Sequence, residues 1–461
     1  TLSRIGASPA PPHRAQASAR GEGRMSGDGP ESVGVAHINE HGKVEFGGCL
    51  HCSWSEAKGR ILTATRTWKE GEEILVEHPL HIVVEDEKCA AFKLLKKLCK
   101  EHDEHFDYEP LWYWCAIQSL TSEQLKGAKG CSGASLEVQR NLLLLHHEEV
   151  DEPSKAANMI VKEIAPNADP ITVERLIQIW VLNCFEYSDK PQGYSTYFFS
   201  SFMSHSCCPN AVWHYTGKDH VLRCRRDISV GDEVCISYLP ENGLLQSTPN
   251  RRMELHETKR FWCNCERCLP DHDDLSRGLV CPKPKCKKGV VFAKTPAAGP
   301  AKDNTLLPVH LTGSTCSECS EAMTRPEAIK LAALEKKLQE LVDEYTESDK
   351  DPAQRKLELD ETFVDEHFCQ HVLADLFFEQ LSTAYGSKKQ YGKQRCLLER
   401  RCAFHKAAYP GLSGAHAWAC EALGDCHRAL SAAQNPNGKK ASFAEAQRCY
   451  REALEVLRLM F

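Results

Sequence analysis

The chain has 461 residues, of which 42% are hydrophobic, with 24 cysteines and a formal net charge of −7. This length suffices for two or three domains with substantial cores, and no run of about 18 apolar residues predicts a membrane span. The acidic balance argues against direct nucleic-acid binding. A large chain without a signal-peptide pattern indicates a cytoplasmic or nuclear protein, in which paired cysteines bind metal more often than they form disulfides.

Residues 1–35 are rich in Ala, Gly, Ser, Pro and Arg and are predicted to be disordered, since they offer few large apolar side chains. The chain begins with Thr, so the natural start lies either upstream or at Met25. An Arg-bearing, acid-poor beginning is also compatible with an organelle transit peptide.

The next segment, 36–88, has a β-like pattern with predicted strands at 44–52, 59–65 and 73–77. Residues 89–168 form a predicted helical insert. Asp169-Pro170 is typical of a helix start, and apolar residues recur behind it at helical spacing. The predicted buried face consists of Val173, Leu176, Ile177, Trp180, Val181 and Cys184.

Short strands are predicted again within 169–260, followed by a cysteine-rich, loop-rich region at 261–325 with a flexible segment at 295–304. Residues 326–461 are predicted to be helical, beginning at Pro326, with later helices near 361–386, 390–408, 414–432 and 441–459. Small and aromatic residues around Gly424 and Tyr450 suggest tetratricopeptide-like repeats, and a generic helical bundle explains the same pattern. One stripe of the first helix consists of Leu331, Leu334, Leu338, Leu341, Val342 and Tyr345.

Two groups of cysteines are candidate zinc ligands, although the gap between the two pairs of the second group exceeds the usual ~15–20 residues. Cys263, Cys265 and Cys268 place three thiols within six residues, and a tetrahedral site needs a fourth ligand from elsewhere. The alternative is a redox or disulfide set. A second group could hold another zinc, or form two exposed thiol pairs in a linker. This group consists of Cys281, Cys286, Cys316 and Cys319. Cys49 and Cys52 have no second pair and are predicted core residues.

The stretch 197–210, with its Ser204-His205-Ser206-Cys207 sequence, is followed by 231–238, which ends at Tyr238, and then by the three clustered cysteines. In this order they resemble the SET-domain protein lysine methyltransferases, most closely the SET-and-MYND (SMYD) type. The resemblance implies an α+β fold with small curved sheets and a knot-like crossing. It also implies S-adenosylmethionine as methyl donor and a protein substrate that presents a lysine. The MYND zinc finger expected after 77–79 is absent from the sequence.

The resemblance also implies residue roles. Tyr238 is the catalytic residue that lines the methyl-transfer pore, and Cys207 is the fourth ligand of the first zinc. The implied donor contacts are Lys58, Gly59, Arg60, Asn183, Ser204, His205, Tyr238 and Phe261.

Two residues depart from the family pattern on the donor side. Ile61 replaces a glycine that allows close backbone approach, and Ser204 replaces an asparagine. Two hypotheses therefore stay open. The chain is either an active lysine methyltransferase or a donor-impaired scaffold that binds a protein partner through its helical C-terminal domain.

Overall fold

The computed structural model describes residues 30–286, 289–297, 299, 307–347, 357–433 and 436–461. The chain forms two compact units, which are treated separately below. Unit 1 contains the chain up to Ser204 together with Asn210–Ile236. Unit 2 contains His205–Pro209 and Ser237–Phe461. None of the described helices is both long and apolar enough to cross a bilayer.

The first part of unit 1 combines a helix, four short strands and the helical insert. Its elements are α1 (Pro30–Phe46), β1 (Leu50–Ser55), β2 (Gly59–Ala64), β3 (Glu73–Glu77), β4 (His81–Val84), α2 (Ala90–Glu101), α3 (Pro110–Gln118), α4 (Leu136–Leu142), α5 (Lys155–Glu163) and α6 (Pro170–Asn183). The remaining elements up to residue 236 are β5 (Phe185–Asp189), β6 (Gln192–Thr196), β7 (Ser204–His205), β8 (Ala211–Thr216), β9 (Asp219–Cys224) and β10 (Cys235–Ile236).

The strands of unit 1 form small antiparallel sheets. β1 and β2 make a hairpin, β9 lies between β3 and β8, and β6 lies between β4 and β5. In the sheet of β3, β9 and β8, Glu77 of β3 pairs with His220 of β9. Small separate sheets with inserted helices agree with the predicted mixed fold.

Helix α6 confirms the predicted start at residue 169. The Asp169 carboxylate accepts the Thr172 amide at 3.0 Å, and Pro170 occupies the first turn. Both features satisfy or remove backbone donors that a helix N-terminus leaves unpaired. Within the predicted stripe, the residues that become buried are Val173, Leu176, Ile177, Trp180 and Cys184, whereas Val181 is half-buried.

The beginning of the described chain differs from the prediction. Most of the segment predicted to be disordered lies outside the described residues, but residues 30–35 belong to helix α1, and residues 42–46 are helical instead of β. Ile38 is fully buried, and the His41 ring lies 4.9 Å from the ring of Phe198. The packed face of α1 includes His and Gly, so the hydrophobic pattern alone did not predict this helix.

The described part of unit 2 is mainly helical and includes a small sheet, in which β11 lies between β12 and β13. Its elements are α7 (Thr248–Lys259), β11 (Asp273–Val280), β12 (Val290–Lys294), α8 (Arg325–Glu347), α9 (Leu357–His367), β13 (Phe368–His371), α10 (Val372–Ser387), α11 (Tyr391–Ala408), α12 (Gly414–Ala433) and α13 (Pro436–Met460).

The prediction of a continuous helix over 361–386 is wrong, because strand β13 interrupts it. The tail is therefore not entirely helical, which differs from the expectation. The residues of β13 pair with β11 of the cysteine-rich region, Gln370 opposite Gly278. This pairing is long-range, so local helical periodicity could not reveal it. The predicted flexible segment at 295–304 falls mostly outside the described residues, although Thr295 is buried and pairs with the Asp271 backbone.

Helix α8 packs the predicted apolar stripe into the core of unit 2, where Leu331 and Leu338 are almost completely buried. A buried ion pair crosses this core. Arg277 of β11 donates two hydrogen bonds of 2.7 Å to the Glu335 carboxylate of α8. His371 approaches the same carboxylate at 3.0 Å. These contacts satisfy charges that would be costly to bury alone.

Candidate active site and cysteine clusters

The first predicted metal site is assembled in unit 2. The sulfurs of Cys207, Cys263, Cys265 and Cys268 all lie within 4.8 Å of one another. Cys207 Sγ lies 3.9 Å from that of Cys263 and 3.7 Å from that of Cys268. A tetrahedral zinc with Zn–S bonds of about 2.3 Å separates its sulfurs by about 3.8 Å, whereas a disulfide brings them to about 2 Å. The four thiols therefore fit a zinc ion.

Three arginines surround this cluster, and the sequence did not identify them. Arg251 and Arg252 are buried, and Arg267 is half-buried. Arg251 is fully buried and donates to Cys268 Sγ at 3.6 Å. Arg252 donates to the carbonyl of Cys263 at 2.9 Å, and Arg267 donates to the carbonyl of Cys207 at 2.8 Å. Four thiolates and one Zn²⁺ leave a net charge of −2, which nearby guanidinium groups offset.

The Arg251-Arg252 pair is placed by helix α7, whose N-cap Ser247 accepts the Asn250 amide at 3.4 Å. Because both arginines follow a Ser-Thr-Pro start, they lie in the first turns of the helix, next to the cysteine loop. A pair of arginines just ahead of a cysteine cluster was the available signal in the sequence.

The predicted catalytic residue lies beside the same cluster. The backbone amide of Tyr238 donates to Nδ1 of His205 at 3.0 Å, and Nε2 of His205 lies 3.3 Å from Cys207 Sγ. A neutral imidazole that accepts at Nδ1 carries its proton on Nε2, which then points at the thiolate. Both ring nitrogens are thus engaged, and His205 links Cys207 of the four-cysteine cluster to the backbone of Tyr238.

Phe261 completes an aromatic group in unit 2. Its ring centroid lies 6.2 Å from that of Tyr238 and 6.0 Å from that of His205. The Lys259 ammonium lies 5.9 Å from the centre of the Tyr238 ring. Electron-rich ring faces attract cations, so this group suits a positively charged ligand.

The other predicted donor contacts belong to unit 1. Asn183 donates through Nδ2 to the carbonyls of Ile179 and His146, each at 2.8 Å. Arg60 donates to the carbonyl of Leu144, and its guanidinium lies 4.8 Å from the ring centre of Phe202. Arg60 and Asn183 therefore meet at the segment 144–146. Burial, followed by the charge of Arg60, lowers the pKa of His146.

The last three predicted donor contacts lie in or next to strands of unit 1. They are Lys58, Gly59 and Ser204. Lys58 pairs with Glu233 at 2.6 Å. Gly59 has a φ of +74° where the hairpin of β1 and β2 turns, a conformation that favours glycine. Ser204 begins β7, directly before His205.

The second cysteine group is also assembled in unit 2. The sulfurs of Cys286 and Cys316 lie 3.6 Å apart, and those of Cys281 and Cys319 lie 3.9 Å apart. A Cβ added at Gly289 would lie 2.1 Å from Cys316 Sγ, so the backbone there approaches the sulfurs as closely as a glycine allows. All four sulfurs lie within 4.8 Å, which fits a second tetrahedral site.

Residues 59–239 match the family model of the SET domain. The chain contains a SET domain. The SET domain thus contains Arg60, Asn183, His205, Cys207 and Tyr238, while the three clustered cysteines follow it in sequence.

The chain is also similar to several curated lysine methyltransferases. The histone-lysine N-methyltransferase ASHR1 of Arabidopsis thaliana is 26% identical over 299 residues, which cover 52% of this chain and 60% of the relative. The protein-lysine N-trimethyltransferase SMYD5 of Gallus gallus is 35% identical over 95 residues, or 20% of this chain and 21% of the relative. The histone-lysine N-methyltransferase SMYD3 of Homo sapiens is 38% identical over 74 residues, or 16% and 17%. The matches therefore span less than two thirds of each relative.

Proposed function

We propose that this SET-domain protein is an S-adenosylmethionine-dependent protein lysine N-methyltransferase. The observation that carries the proposal is the link from the four-cysteine cluster through His205 to Tyr238, with Phe261 beside both rings. The lysine methyltransferase activity named for ASHR1 and the SMYD relatives supports the same reaction.

Bound S-adenosylmethionine would supply an electrophilic methyl group on a sulfonium. The chain must then hold a neutral lysine amine in line with that methyl group and exclude water. In the proposal, the phenol of Tyr238 orients the lysine nitrogen, and Phe261 stacks near the adenine of the donor. His205 acts as a positioning residue, because both of its nitrogens are engaged and cannot accept the lysine proton.

A zinc ion bound by Cys207, Cys263, Cys265 and Cys268 would fix this arrangement. The ion would hold Cys207, which lies two residues after His205, and Cys263, which lies two residues after Phe261. Removal of the ion should therefore release the side chains of His205 and Phe261 together. A second zinc on the cysteines at 281, 286, 316 and 319 would stabilise the fold of unit 2 without contacting Tyr238.

The rival proposal is a scaffold that does not use the donor. The contacts of Asn183 favour it, since its amide donates to two backbone carbonyls of unit 1. Ile61, at the position where a glycine was expected, is held in the β1–β2 hairpin opposite Ser53. Under this proposal the helical C-terminal domain binds a protein partner.

Calorimetric titration of the purified, zinc-loaded chain with S-adenosylmethionine separates the two. The methyltransferase proposal predicts binding and transfer of a labelled methyl group to lysine in a protein extract. Tyr238→Phe should leave donor binding largely intact and lower the transfer rate about 100-fold, since it removes the group that orients the amine.

Tyr450→Phe serves as the matched control, because that phenol lies on α13 and donates to Asp425 at 2.6 Å. It should leave transfer unchanged. Absence of donor binding by the zinc-loaded wild type would favour the scaffold. Donor binding with equal transfer by wild type and Tyr238→Phe would contradict the assigned role of the phenol.

A further inference from the structure

A third group of metal-binding side chains lies in the helical C-terminal domain, outside both predicted cysteine clusters. Cys402 comes from α11, and His416 and Cys420 come from α12. The three donor atoms lie within 4.8 Å of one another. Because His416 and Cys420 are four residues apart on one helix, they project from the same face, towards α11.

The distances fit a tetrahedral ion. Cys420 Sγ lies 3.3 Å from Nε2 of His416. Zn–S and Zn–N bonds of about 2.3 and 2.0 Å place such a pair about 3.5 Å apart. A carboxylate oxygen is an accepted zinc ligand, and that of Glu452 on α13 lies 3.0 Å from the same Nε2.

Burial and charge support the same conclusion. Cys420 is 3% exposed and packs with Ala417 and Ala453, so water has little access to this donor, whereas Cys402 and Glu452 are half-buried. Two thiolates, one carboxylate and one Zn²⁺ carry a net charge of −1. The ammonium of Lys406, which lies 2.5 Å from the Glu452 carboxylate, brings the group to neutrality.

We propose that Cys402, His416, Cys420 and Glu452 bind a zinc ion that joins α11, α12 and α13. A sulfur, nitrogen and oxygen donor set is typical of Zn²⁺, which accepts all three donor types. A disulfide between the two thiols is the main alternative, in which His416 and Glu452 form only an ion pair with each other and with Lys406.

The test compares the zinc content of full-length variants after dialysis against zinc-free buffer. The variant Cys402→Ser/Cys420→Ser should carry one zinc fewer per chain than the wild type. The control Cys426→Ser/Cys449→Ser changes two other buried thiols of the same domain and should carry the wild-type amount. The test uses the difference in zinc content between the variant and the wild type. This difference does not depend on the zinc occupancy of the two four-cysteine clusters.

Two further measurements identify the ligands. Cadmium-113 NMR of the cadmium-loaded wild type should show one resonance outside the four-thiolate region, and this resonance should be missing from the double variant. Glu452→Gln should weaken zinc binding about 10- to 100-fold in a chelator competition. This variant keeps both thiols and carries the test if the double variant does not fold.

Equal zinc content in the wild type and in a folded double variant would overturn the proposal. So would a disulfide-linked peptide joining Cys402 to Cys420 in wild-type protein that has been supplied with zinc. An unchanged zinc affinity in Glu452→Gln would remove the carboxylate from the site and refute the four-ligand assignment.

Discussion

His220 should make unit 1 sensitive to acid. It is fully buried on β9, where its ring stacks on Trp213 at 5.2 Å and its Nδ1 lies 3.2 Å from the hydroxyl of Ser200. Burial lowers the pKa of His220 from 6.5 to about 3. The native imidazole therefore stays neutral at a pH where the unfolded chain already binds a proton.

The sign and size of the effect follow from this difference. The unfolded state binds more protons below pH 6.5, so stability falls as the pH is lowered from there towards 3. At pH 5 the unfolded state binds about one proton more than the native state. Integrated over the ~1.5 pH units between 6.5 and 5, this difference corresponds to about 2 kcal/mol. His220→Phe keeps an aromatic ring in place and removes the titrating group.

Urea unfolding followed by tryptophan fluorescence should show that the loss of unfolding free energy between about pH 7 and pH 5 is smaller in His220→Phe by about 2 kcal/mol. His51→Gln, which changes an exposed histidine of β1, should behave like the wild type. Parallel curves of stability against pH for the wild type and His220→Phe would refute the reasoning.

Two other substitutions test packing in unit 2. Glu335→Gln should cost about 3–5 kcal/mol of unfolding free energy, because it leaves the guanidinium of Arg277 buried without a carboxylate; a loss below about 1 kcal/mol in urea unfolding would contradict this. Gly424→Ala should cost about 1–3 kcal/mol in spite of its better helix propensity. Its Cβ would lie 2.7 Å from the ring of Tyr450. Gly392→Ala is the control, since nothing lies within 4 Å of its added Cβ, and thermal unfolding should separate the two alanine variants.

Local signals in the sequence predicted the elements that local physics determines. The Asp169-Pro170 start and the apolar stripe behind it required only helix capping and periodicity, and the structure confirms both. The spacing of Cys263, Cys265 and Cys268 predicted a metal site, but the partner at 207 came only from the family resemblance. Strand β13 could not be predicted, because it exists through its pairing with the distant β11.

The structure brings several of the predicted site residues together and adds contacts that the sequence could not show. The resemblance selected His205 and Tyr238, and the structure adds that the imidazole is held between a thiol and a backbone amide. The group of Cys402, His416 and Cys420 was missed, because residues from two helices meet only after the bundle packs. The four-residue spacing of His416 and Cys420 was the single local signal for this group in the sequence.

The chain passes from one unit to the other three times, after residues 204, 209 and 236. Neither unit is therefore a continuous piece of sequence, and limited proteolysis or truncation at residue 236 cannot release a whole one. A fragment starting at 237 would keep Cys263, Cys265 and Cys268 but leave Cys207 behind with the other half. We expect ribosomal synthesis to reach the last of these cysteines before the middle of the chain can complete its fold.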